Sequence, residues 1–84
     1  MPHFEFLWID ETVEHLAEHG ITCEQFEELV FRSRNRGVSR TSGYPAVWGY
    51  LHDGRYVMAV YEPIDSVTVR PVTAFEVAEP RRRK

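Results

Sequence analysis

Between residues 10 and 31 apolar side chains recur at helical spacing, and from Val47 onward they fall into three extended runs. This segregation of helical and extended stretches constrains the fold more than any other feature, and it specifies an α+β chain. Thr22 and Gln25 form a capping box, with Ile21 and Phe26 at the positions of a hydrophobic staple, so a helix begins at residue 23. Cys23, Phe26, Leu29 and Val30 give that helix one buried stripe. The helix before it is predicted to take Asp10 as its N-cap and to bury Val13, Leu16 and Ala17. It should end after about ten residues at Gly20, where a left-handed residue can close it. Only Gly20-Ile21 separates the two, which predicts a compact helical hairpin. Ahead of them Phe4, Phe6 and Trp8 alternate with Glu5 and Leu7, as in a short strand.

From Arg32 to Gly43 apolar content gives way to Arg, Ser, Asn and Gly, and this stretch reads as a long loop. Val47–His52 and Arg55–Tyr61 flank Asp53-Gly54, the dipeptide of two-residue type I′ hairpins. The second run is apolar on both faces and should be the best-covered strand. After a turn over Pro63–Ser66, Val67–Phe75 makes the last strand of an antiparallel meander. Pro71 has no N–H to donate there, so that strand must lie at an edge or bulge. The order is β-α-α-β-β-β in a single domain, residues 1–77, followed by a basic tail, 78–84.

Eighty-four residues allow one core, and an aromatic content of 13% helps to fill it. Cys23 is the only cysteine, so no intrachain disulfide forms, and no apolar run is long enough to span a bilayer. No signal peptide is apparent, and the chain reads as cytoplasmic, without membrane contact. Net charge is −3, yet residues 1–31 carry eight acids and no Lys or Arg. Arg32, Arg34, Arg36 and Arg40 then follow without an intervening acid, and Arg81 to Lys84 close the chain. The central arginines, with Trp48 and Tyr50 nearby, have the composition of a surface that holds phosphates and stacks bases. A solvated loop whose arginines pair back to the acidic helices fits the same composition.

Two further constellations read as structural. His15-Leu16-Ala17-Glu18-His19 matches the H-x-x-E-H string of a zinc-peptidase class, but such enzymes need further ligands and a large substrate cleft, and Gly20 ends the helix at once. The two histidines should be ordinary surface residues, and no metal or other cofactor is expected. Cys23 starts a helix, where a thiol can be activated, but it falls on the apolar stripe and reads as a small core residue.

Several short strings, in order, resemble the BrnT family of toxins within the RelE-like superfamily of toxin–antitoxin ribonucleases. They are the aromatic strand ending at Trp8, then Glu18-His19-Gly20-Ile21 and Thr22-Cys23-Glu24-Gln25-Phe26-Glu27-Glu28. Asp53-Gly54-Arg55-Tyr56 and Val69-Arg70-Pro71-Val72-Thr73-Ala74 follow. The resemblance implies a four-stranded antiparallel-type sheet with helices on one face and a basic surface toward single-stranded RNA. It also implies metal-independent cleavage and neutralisation by an antitoxin protein. By position, His19 would act as acid or base, while Arg55 and Arg70 would clamp phosphate. Glu18 stands where the family carries lysine, and Phe75 where it carries arginine. A degenerate relative, or a non-catalytic protein-interaction module that retains the fold, is therefore the alternative to an active enzyme.

Overall fold

A computed structural model describes residues 5–78; Phe4 and the basic run Arg81–Lys84 lie outside them. The elements are β1 (Glu5–Phe6), α1 (Asp10–Glu18), α2 (Cys23–Arg32), β2 (Asn35–Val38), β3 (Pro45–Tyr50), β4 (Tyr56–Pro63) and β5 (Thr68–Glu76). They build one five-stranded mixed sheet in the order β1-β5-β4-β3-β2. The chain is α+β as expected, but the sheet has five strands rather than four. The additional strand, β2, arises inside the stretch read as a loop.

The capping box forms as the sequence specifies. Gln25 N–H donates to Thr22 Oγ1 (3.1 Å), and Thr22 N–H donates to Gln25 Oε1 (3.0 Å). Asp10, by contrast, is the first helical residue of α1, and Ile9 holds the N-cap position without a side-chain bond. Helix α1 closes in a Schellman arrangement. Ile21 N–H reaches the Leu16 carbonyl, Gly20 N–H reaches that of Ala17, and Gly20 takes φ 73°. Its buried face is Thr12 and Leu16, with Val13 half-buried and Ala17 exposed. Thr12 Oγ1 donates to the Pro71 carbonyl (3.3 Å), which lets a polar residue sit on that face. The two helices seat on the sheet, α1 on β5 and α2 on β3 and β4, rather than closing on each other as a hairpin.

Strand β4 is the middle of the sheet and the best covered, as its two apolar faces specify. Val57 and Ala59 on β4, with Val47 on β3 and Ala74 on β5, meet Leu16, Phe26, Leu29 and Val30 in one core. Phe6 and Trp8 pack against it, and Trp8 Nε1 donates to Glu27 Oε2 (2.8 Å). The β3–β4 turn differs from the two-residue type I′ form. Leu51 N–H donates to the Arg55 carbonyl and Gly54 N–H to the Leu51 carbonyl, leaving three residues in the loop. Gly54 alone among them has positive φ, at 95°. A type I′ turn would require it of Asp53 too. Pro71 resolves as a bulge: the register slips between Val60, opposite Thr73, and Tyr61, opposite Pro71. Strand β1 flanks β5 only at Thr68 and Val69, so at Pro71 no described strand lies on its outer side.

Replacing the cap in Thr22→Ala should cost about 1 kcal/mol of stability, measured by urea denaturation. An unchanged midpoint would mean that the reciprocal cap contributes nothing in this context.

Candidate nucleic-acid interface

Where α2 passes into β2, the chain runs beside the end of β3 and leaves a groove of about 350 Å³. Ser33 steers it there, its hydroxyl donating to the Trp48 carbonyl. Arg32, Arg34, Asn35, Trp48, Tyr50 and Tyr56 line the groove, with Glu28 on the α2 side. Asn35 Nδ2 donates to the Tyr56 hydroxyl (3.4 Å), and the Tyr50 and Tyr56 rings lie 4.8 Å apart. Four of the six residues predicted to meet RNA therefore share one concavity. The arrangement offers guanidinium groups for phosphate beside aromatic faces for bases.

The arginines are not equivalent. Arg32 Nη1 lies 3.4 Å from Glu28 Oε2 and 2.9 Å from His52 Nε2. His52 Nε2 also meets Glu28 Oε2 at 2.9 Å. The hydrogen bond from His52 is the largest cause that holds the Glu28 carboxyl below its ordinary range, with the charges of His52 and Arg32 adding to it. Arg34 has no carboxylate partner among the described residues. Arg36 turns to the helix side and donates to the Val30 carbonyl, capping the last turn of α2. Arg40 lies past the far end of β2, beside a second concavity.

That second concavity, about 760 Å³, covers the sheet face opposite the core. Trp48, Met58 and Phe75 stand in cross-strand register there, one each from β3, β4 and β5. His15 and His19 reach this face around the margin of β5. His15 Nε2 lies 2.8 Å from Thr73 Oγ1, and the His19 ring centroid is 6.4 Å from that of Phe75. Both histidines are exposed, as expected. Among the described residues no cluster of three or more His, Cys, Asp or Glu is arranged to hold a metal.

The three residues matched to a catalytic role do not converge. Arg55 lies next to His19 in space but binds only its backbone. Nη1 donates to the His19 carbonyl (3.3 Å) and Nη2 to that of Gly20 (2.8 Å). Its Nε donates to Asp53 Oδ2 (2.8 Å). Arg55 thus ties the β3–β4 turn to the junction between the helices. Arg70 lies at the other end of β5, paired with Glu62 on the neighbouring strand. The intervening strand, at about 3.3 Å per residue, separates it from His19 and Arg55 by well over a phosphate's reach. Burial, aided by the charge of Glu27, raises the Cys23 thiol above its ordinary pKa, opposite to the shift of an activated nucleophile.

Comparison with protein-family models, with curated proteins and with solved structures gives no match. Among the described residues, no helix is long and apolar enough to cross a membrane.

The Asp53–Arg55 pair makes a pH prediction. The Arg55 side-chain bond, then the Arg55 backbone N–H, hold the Asp53 carboxyl below its ordinary value. A depressed carboxylate stabilises the fold above its unfolded pKa and loses that contribution as pH falls through the folded value. An NMR titration should therefore find Asp53 ionising below ordinary aspartate, and Arg55→Gln should move it back up. Identical titrations in both chains would refute the pairing.

Proposed function

We propose that this chain is a toxin-type protein, resembling the BrnT family, that binds single-stranded RNA and has at most a weakened metal-independent nuclease activity. The observation that carries this reading is the groove in which Arg32, Arg34, Asn35, Trp48 and Tyr50 come together. Single strands are held without strict sequence choice by cations along the backbone and aromatic faces under the bases, and this groove supplies both. The wide separation of Arg70 from His19 and Arg55 favours binding over cleavage. Metal-free cleavage requires a base, an acid and a phosphate clamp around one phosphorus atom. A neutralising antitoxin partner belongs to the same reading.

Binding to a single-stranded RNA oligonucleotide, followed by fluorescence anisotropy across a salt series, tests the first half. Affinity should fall with salt, and Arg32→Gln with Arg34→Gln should flatten the log–log slope by roughly 0.7 for each phosphate no longer neutralised. Tyr50→Ala should weaken binding by about 1–3 kcal/mol at fixed salt if a base stacks on that ring. Binding without a salt slope would rule out the phosphate role.

Cleavage measured in chelator tests the second half. The parent chain should be slow. Glu18→Lys with Phe75→Arg should quicken it by adding two cations near the His19 ring, and His19→Ala in that background should abolish the gain. A parent as fast as the double variant would show that Glu18 and Phe75 do not limit the chemistry.

A further inference from the structure

All four residues of β2 are exposed, and the strand pairs on one side only. The phase of the ladder decides which backbone groups face outward. Leu51 N–H bonds to Arg55 across the β3–β4 pair, so the N–H and C=O of Gly49 and Val47 face β4. Those of Trp48 and Ala46 then face β2, where Asn35 and Gly37 meet them. Ser39 N–H, donating to the Tyr44 carbonyl (2.8 Å), continues that phase. The N–H and C=O of Arg36 and Val38 consequently point away from the sheet, and no described residue bonds them.

Side chains alternate along the same strand. Arg36 lies on the α2 side, where it reaches Val30, and Arg34 stands immediately before the strand. Asn35 and Gly37 lie on the opposite face, and the Trp48 ring crosses Gly37 so closely that a Cβ there would sit 3.1 Å from it. That face continues into the apolar row Trp48, Met58 and Phe75. The edge therefore presents Arg36 on one side and apolar surface on the other, with Arg34 at its start. Between Leu29 and His52 the sequence holds no Asp or Glu.

We infer that the β2 edge takes up an extended acidic strand from a protein partner, one that alternates carboxylates with apolar side chains. Added to the sheet, its backbone bonds Arg36 and Val38, its carboxylates lie beside Arg34 and Arg36, and its apolar side chains extend the open face. A second copy of β2 is a poor occupant, because it would set arginine against arginine across the new ladder. The inference goes beyond RNA binding and does not depend on it.

The test titrates a short synthetic peptide alternating Glu with Val into the isotope-labelled full chain. Saturable binding should bring new exchange protection at the Arg36 and Val38 amides, while a peptide with Lys in place of Glu should not bind. Val38→Pro removes one outward N–H and no charge, and should weaken the Glu peptide about tenfold. It should leave salt-dependent RNA binding intact, which separates failure of this inference from failure of the RNA reading. Absence of protection at Arg36 and Val38, equal binding of the Lys peptide, or unchanged affinity in a folded Val38→Pro chain would each overturn it.

Discussion

The seat of α2 on β3 is the contact on which the rest of the architecture depends. Gly49 has no side chain, and a Cβ there would stand 2.8 Å from Leu29 Cδ1, so the Leu29 side chain rests directly on the strand backbone. That close approach buries Phe26, Leu29 and Val30 against the sheet, at roughly 1.5–3 kcal/mol for each large side chain removed from water. It also fixes where α2 releases the chain. Ser33 then bonds across to the Trp48 carbonyl, and the backbone turns directly into β2. A side chain at Gly49 would push the Leu29 methyl off this seat and crowd Ser33, whose hydroxyl leads the chain into β2.

The parts of this architecture visible in the sequence are those encoded by local chemistry. The capping box, the Gly20 stop, the buried β4 and the irregularity at Pro71 follow from side chains whose preferences need no partner. Strand β2 was hidden for the opposite reason. Asn35-Arg36-Gly37-Val38 has neither β-branched enrichment nor apolar alternation, and it is a strand because β3 offers it a backbone ladder. Thr12 was hidden too. Its place on the buried face of α1 depends on a carbonyl at Pro71, fifty-nine residues on in the chain.

The same distinction governs the candidate sites. Arg32, Arg34, Trp48 and Tyr50 could be grouped from composition, and the fold gathers them because α2 ends beside β3. Whether Arg70 met His19 was a question of strand register, which no string of residues announces. Glu62 answered it by standing opposite Arg70 on β4. Arg36 illustrates a third case, a cation whose strand phase turns it to the helix side, where it also caps the end of α2. Arg55 likewise joins two parts of the chain through carbonyls and Asp53.

The parallel pairing of β1 with β5 has a consequence for how the molecule assembles. It joins Glu5 to Thr68 and Phe6 to Val69, so β1 finds its place only beside β5. The β3–β4 hairpin closes a short loop and can form early. Closing the span from Glu5 to Thr68 costs more chain entropy, and only two residues of ladder offset it directly. During synthesis the aromatic cluster of Phe6 and Trp8 must wait on the surface of α2, through Phe26 and Phe31, until β5 has emerged. Completion of this small sheet is thus deferred until β5 has been made, although β1 precedes the other described strands in the chain.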